Sequence, residues 1–376
     1  MKSKIRFCIF FSVFFIIGLS TIPTIHYRID RWRVLNEDIK HAYNIVQPHP
    51  RVNASFLRVS HLIKNKENFN SVIFGSSRVF HGFGTEQLNE TLGGKWYKLT
   101  YPGGAPYEHL HNLKTLISHG VELTNVIFAL DDADLYRLRD DYKLYNFYPH
   151  PSNSFEWIKY YIFYLFKPVT FEDLDILKGN RKLIEFSWTI ENYTKRGHEL
   201  PSNFDLDKHK KKLLKQRPHG LHLLKQDPRS SELLTEISET IKLCREKNIR
   251  INFFITPRFH KTLYARDRNT IDEFKRRLTE ITNFYDFTEV SEYTQNPKYW
   301  LDTSHYTSEL GSILLNELSG KVHNAKPFGY LAKRGNIDIK LEKIRKDLIT
   351  SLPLIKKTDK TLVIHESLLE GSNIAD

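Results

Sequence analysis

The chain has 376 residues, enough for one large domain or two small ones, and its 40% hydrophobic content excludes a disordered chain. A net charge of +12 fits either anionic partners such as phospholipid headgroups or acidic polysaccharide, or an ordinary basic surface; no nucleic-acid-binding motif accompanies it, so DNA and RNA are not expected partners. Two cysteines, Cys8 in an apolar N-terminal segment and Cys244 on a predicted helix, exclude a disulfide framework.

Residues 7–25 are an apolar run of about 19 residues behind Lys2, Lys4 and Arg6, the length that crosses a bilayer core as a helix. A cleaved signal peptide is the rival, but no small-x-small cleavage site follows the run. Residues 1–25 are therefore read as an uncleaved anchor in contact with membrane lipid. Arg28, Arg31 and Arg33 follow it, so basic residues flank both ends and charge alone does not orient the chain. Residues 26–70 read as a juxtamembrane connector.

Strands and helices then alternate. Residues 71–74 form a short apolar run closed by Gly75, as expected of a buried strand. A helix is predicted over 85–92, a second strand over 96–100, a helix over 106–119 with Pro106 near its start, and a third strand over 125–130. After an interruption the pattern resumes with a helix over 231–247, a fourth strand over 250–255, a helix over 271–281, a short fifth strand over 284–287 and a last helix over 307–318. This alternation implies an α/β fold, a parallel sheet covered by helices on both faces.

The interruption, about 134–229, is rich in aromatic residues and reads as a helical insertion. Its stretch 157–166 is too short and too polar to span a bilayer, which leaves a buried helix of a lid subdomain or a membrane-interface helix. Residues 319–376 form a basic tail, expected to pack loosely or to be partly disordered.

Parallel sheets bind ligands beyond the carboxyl ends of their strands. Gly75-Ser76-Ser77, Gly103-Gly104, Asp131 and Pro257-Arg258 all fall there. Far along the chain, Asp302 and His305 stand three residues apart just before a helix. A serine hydroxyl needs a base to take its proton, and the base works best with a carboxylate to fix its tautomer. The competing readings are structural: Ser76 and Ser77 as helix caps, and Asp302 as a cap with His305 exposed. The run Gly75-Ser76-Ser77-Arg78-Val79 lacks the last glycine of G-x-S-x-G, which argues against an α/β-hydrolase elbow. His109 and His111 would point in different directions on a helix and no cysteine cluster is present, so neither a metal nor another cofactor is expected.

Gly75-Ser76-Ser77 followed by Asp302-x-x-His305, with Tyr306, Gly311 and Ile313-Leu314 continuing into a helix, resembles the SGNH (GDSL-like) hydrolase superfamily over about residues 71–318. The likeness is to its membrane-anchored branch, which includes alginate O-acetylation proteins and the D-alanyl transfer protein of teichoic acid synthesis. The resemblance implies a flavodoxin-like three-layer α/β/α sheet, with Ser77 as nucleophile, His305 as general base and Asp302 orienting it. It implies an oxyanion site from the N–H of Ser77 with Gly103 or Gly104. The family often carries an asparagine at the end of the third strand, where this chain has Asp131, a carboxylate that donates only when protonated. Arg78, Asp131 and Arg258 are candidate substrate contacts, with His260 beside Arg258 on the rim.

The resemblance further implies acyl-ester transfer or hydrolysis on a cell-surface polysaccharide. The site would face the periplasm from a single-pass anchor in the inner membrane, with a membrane-bound O-acyltransferase as a possible partner. Two alternatives stand beside it: a catalytically inactive module that binds glycan or scaffolds an envelope assembly complex, and an esterase acting on membrane lipid.

Overall fold

The structure, a computed structural model, describes residues 2–32, 35, 41–43, 54–101, 103–136, 150–181, 183–185, 197, 199–200, 204–218, 221, 228–320, 327–359 and 361–370. Parts of the expected connector (33–34, 36–40 and 44–53) and of the expected insertion (137–149, 186–196 and 222–227) lie outside the described residues, as does Pro102. The chain forms two compact units, one from Met1–His61 and Asn146–Tyr193, the other from Leu62–Tyr145 and Thr194–Asp376.

In the first unit, helix Lys2–Ile29 is long and apolar enough to cross a membrane, and its apolar window is not buried at all. Its far end is buried instead. Ile29, Asp30, Arg31 and Trp32 pack with helices Ser154–Leu165 and Phe171–Leu177, and with Phe56 and Leu57, around Tyr160 and Tyr164. A short antiparallel ladder joins His41–Tyr43 to Leu183–Glu185. Part of the insertion thus packs on the N-terminal segment.

The second unit is built on a six-stranded sheet: β1 (Ser71–Gly75), β2 (Trp96–Thr100), β3 (Asn125–Leu130), β4 (Arg250–Ile255), β5 (Phe284–Asp286) and β6 (Tyr330–Ala332). The spatial order is β2-β1-β3-β4-β5-β6. All neighbours are parallel except β5 and β6. This is the flavodoxin-like order with an antiparallel edge strand added. β1 and β2 are buried along their whole length, as expected where helices cover both faces. From β1 the chain turns to one side for β2, then crosses back for β3. The carboxyl end of β1 is therefore a topological switch point, and Ser77 follows it directly.

The segment after Ser319 is not a loose tail. Tyr330–Ala332 pairs with Phe284–Asp286, and Ile337–Thr358 is a 22-residue helix. That helix buries Ile344, Leu348, Leu352 and Ile355 against Leu263, Tyr264 and Leu368. The apolar area this removes from water explains why the basic residues around it do not keep the segment in solvent.

Candidate active site

Ser76 follows β1 in an extended conformation and caps the six-residue helix Ser77–Gly82 by accepting from the N–H of Arg78. Ser77 is the first residue of that helix, where a backbone N–H has no carbonyl behind it to bond. The other end of the helix is held from β2. Buried Lys98 donates to the carbonyls of Phe80 (3.0 Å) and Phe83 (2.6 Å), a cation at a helix C-terminus. The helix also packs tightly on Ser308–Ser319. A Cβ at Gly311 would lie 1.7 Å from the carbonyl oxygen of Gly82, so this crossing requires glycine.

The His305 loop is equally determined. Trp300 and Tyr306 form an antiparallel bridge, and Leu301 N–H donates to the His305 carbonyl at 2.8 Å. His209 bonds the Trp300 carbonyl through Nε2 at 2.7 Å, and Thr262 donates to the Thr303 carbonyl. Asp302 Oδ1 accepts the N–H groups of Ser304 (2.7 Å) and His305 (2.9 Å), closing the turn. Thr307 caps the following helix.

These two loops bring Ser77, His305 and Asp302 together. Ser77 Oγ lies 2.8 Å from His305 Nε2, and His305 Nδ1 lies 2.7 Å from Asp302 Oδ2. Burial works to raise the Asp302 carboxyl, but the hydrogen bonds and charge of His305 and the N–H of Ser304 outweigh it and hold it well below the usual carboxylate range. An ionised Asp302 only accepts, so a neutral His305 carries its proton on Nδ1 and offers Nε2 to the Ser77 hydroxyl. The side chains of His305 and Asp302 remain 20% and 39% exposed, so the relay is open to solvent.

The expected substrate contacts are corrected. Arg78 is 2% exposed and paired with Asp131 Oδ2 at 2.5 Å; it donates to Ser304 through Nε (carbonyl, 3.0 Å) and a terminal nitrogen (Oγ, 2.8 Å). A buried guanidinium spent on internal acceptors has nothing to offer a substrate. Asp131 also accepts from Ser76 Oγ and Thr256 Oγ1, so it is a buried junction between β1, β3 and β4. Arg258 pairs with Asp132, which Arg266 also holds, and His260 is buried rather than on the rim.

The expected oxyanion donors are sorted too. Gly104 donates its N–H to the Tyr101 carbonyl at 3.0 Å, so that donor is spent. Glycine is required there because a Cβ would come within 2.8 Å of the Gly75 carbonyl. Gly103 turns the chain at φ 68°. The N–H of Ser77 keeps its expected place at the helix start.

Three neighbours escaped the sequence reading. Ser304 and Thr256 hold Arg78 and Asp131. His81 packs its ring edge-on against His305 with centroids 4.7 Å apart. Its position four residues after Ser77, one helical turn on, is the signal that would have found it.

No protein-family model matches the chain, and a search of curated proteins finds no match. Among solved structures, the chain is similar to a protein of Bacteroides fragilis NCTC 9343 described as a "putative acylhydrolase". The two are 11% identical with a TM-score of 0.33, and the match covers 75% of this chain and 96% of that one. The fold assignment rests on the strand order and register given above.

Proposed function

We propose that this chain is a membrane-anchored serine acyl-ester enzyme that works through a covalent acyl-serine. The observation that carries this reading is the unbroken relay Ser77 Oγ–His305 Nε2–Asp302 at 2.8 and 2.7 Å, placed at the switch point of a parallel sheet. Ser77 Oγ attacks the acyl carbonyl carbon as its proton passes to His305 Nε2. The N–H of Ser77 faces the developing oxyanion. The tetrahedral adduct collapses, the C–O bond to the leaving alcohol breaks, and His305 returns the proton to that alcohol. A water or sugar hydroxyl then gives its proton to His305 as it attacks the acyl-serine carbonyl carbon; the C–Oγ bond to Ser77 breaks, and His305 returns the proton to Ser77 Oγ. Ionised Asp302 keeps the imidazole in the working tautomer and stabilises its charged form.

The finer reading is transfer of acyl groups to, or their removal from, a cell-surface polysaccharide on the outer side of the inner membrane. The motif resemblance supports it. So does the N-terminal apolar helix, which would hold the catalytic unit near a membrane-bound acyl donor. Purified full-length protein in detergent should label at Ser77 with a fluorophosphonate and release nitrophenol from an acetyl ester. A wild-type protein that is folded yet inert to both, in cells where Ser77→Ala still supports glycan acylation, would make it a scaffold instead.

A further inference from the structure

Helix Ser154–Leu165 in the first unit is amphipathic in an unusual sense. Its inward stripe is the one with polar tips. Tyr160 and Tyr164 are buried, Tyr164 donates to Asp30 Oδ1 at 2.8 Å, and Tyr160 stacks on Phe56 at 4.9 Å. Its outward side is mostly hydrocarbon, with Lys159 and Tyr161 also exposed there. Phe155, Ile158, Ile162 and Phe166 recur at spacings of three and four, with Phe163 beside them, each about half exposed or more, and Phe171 beyond them is 89% exposed. In water that arrangement is inverted, since tyrosine tolerates solvent better than phenylalanine or isoleucine does.

The helix is fastened at one end of the apolar N-terminal helix. His26 Nε2 bonds the Lys167 carbonyl at 2.8 Å, Arg31 pairs with Asp173 at 3.1 Å and with Glu172, and the Lys167 ammonium sits 3.6 Å over the Trp32 ring. Residues 7–25 rise about 28 Å as a helix, close to the thickness of a bilayer core. Residues 26–32, where the anchor becomes buried, therefore fall at the level of the headgroups, the zone that Trp and Tyr favour.

We propose that Ser154–Leu165 lies in the membrane interface, with Phe155, Ile158, Ile162, Phe163 and Phe166 among the acyl chains, so that the first unit grips the bilayer by both a span and a surface helix. The occupant of the apolar face is phospholipid because the helix that carries it is fastened, through the buried Tyr164 and through Lys167, to residues 26–32 at the exit of a lipid-facing helix. Lys159 extends from the same face, with its ammonium 4.4 Å over the Phe155 ring, and its reach suits it to anionic headgroups. This rests on the reading of residues 7–25 as the anchor.

The test uses full-length protein in phospholipid nanodiscs, with Cys8→Ser removing the exposed thiol. Burial pushes the Cys244 thiol up to about 12, so it stays unreactive. Single cysteines carry a nitroxide at Ile16 in the anchor, at Ile162, and at exposed Glu246 as the aqueous reference. The expected result is that the labels at 16 and 162 collide with oxygen and are several-fold less accessible than 246 to a nickel chelate. With the label moved to Ile158, Phe163→Glu combined with Phe166→Glu should restore nickel access. These side chains project outward, so the variants should still fold. An Ile162 label as open to nickel as that at 246, with the Ile16 label still in lipid, overturns the surface helix alone. Nickel access at both 16 and 162 overturns the anchor with it. Broadening at 162 that grows with protein density in lipid assigns the face to a second copy, which also overturns the proposal.

Discussion

Ser76 Oγ donates a 2.6 Å hydrogen bond to Asp131 Oδ2, and both residues are almost fully buried. The next hydroxyl along the chain, that of Ser77, faces His305 instead. Adjacent serines therefore serve different ends, and two alanine substitutions should separate them. Ser76→Ala loses a helix cap and leaves a buried carboxylate oxygen short of a donor, a cost of about 1–3 kcal/mol. It should keep most of the reactivity toward a serine probe. Ser77→Ala should keep wild-type stability within about 0.5 kcal/mol and lose reactivity altogether. Urea midpoints and probe labelling read both. A folded Ser76→Ala protein that no longer labels would mean that the wrong serine has been named.

Asp302 makes a separate prediction about pH. Its folded carboxyl lies below the usual range, so the unfolded chain binds a proton there first as pH falls. The stability it contributes is fully present above about pH 4 and is lost as pH drops through the folded value. Asp302→Asn should flatten this part of the acid limb when urea midpoints are compared between pH 3 and 6. At pH 7 the same variant should lose about 10²–10⁴ in turnover, since an amide no longer fixes the tautomer. Unchanged turnover would reduce Asp302 to a turn-former.

Much of this fold was legible because its strands advertise themselves. The runs at 71–75, 96–100, 125–130 and 250–255 are short, apolar and bounded by glycine, proline or a polar turn, and each becomes a strand at that place. The relay was legible because Ser77, Asp302 and His305 fall at loop positions that a parallel sheet gathers at one edge. The final strand was not, since three residues at 330–332 gain their conformation only from Phe284–Asp286. The helix Ile337–Thr358 did carry a signal, with Leu341, Ile344, Leu348, Leu352 and Ile355 at spacings of three and four. Its interspersed lysines and Pro353 obscured it. Buried charges were the least legible. Arg78 is expected at a substrate, and nothing in the sequence marks Lys98 or Lys275 as buried; Asp131, the carbonyls of Phe80 and Phe83, and Asp286 hold the three inside.

His260, expected on the rim, is buried, and that burial lowers its imidazole to about 4, outweighing the charge of Asp359 and a backbone hydrogen bond with Thr294. An unfolded histidine titrates near 6.5. Between those values the unfolded chain holds the extra proton, so stability is full above about pH 6.5 and falls as the pH drops toward 4. The loss is on the order of 3 kcal/mol. His260→Gln should remove this slope while leaving probe labelling unchanged at pH 7. A wild-type midpoint that is flat from pH 7 to 4.5 would show that the ring is charged or hydrated in the folded protein.

Arg78 ties the two halves of the relay together. One guanidinium neutralises Asp131 beneath the Ser76–Ser77 turn and holds both the carbonyl and the hydroxyl of Ser304, the residue before His305. Its planar fork spans acceptors that a single ammonium cannot reach at once. Arg78→Lys should therefore keep the charge pair but loosen the His305 loop. The expected result is a 10- to 100-fold fall in kcat, little change in KM, and a modest drop in melting temperature. Arg78→Met takes the guanidinium away from the buried Asp131 carboxylate and should cost about 3–5 kcal/mol. Adding Asp131→Asn removes that buried charge and should recover much of that stability, giving a coupling energy well above the scatter of independent sites. It should not recover kcat, because Ser304 still lacks its donors. Full activity in the double variant would confine Arg78 to stabilising the fold and leave the spacing of Ser77 and His305 to the Gly82–Gly311 crossing and the contacts that hold the His305 loop.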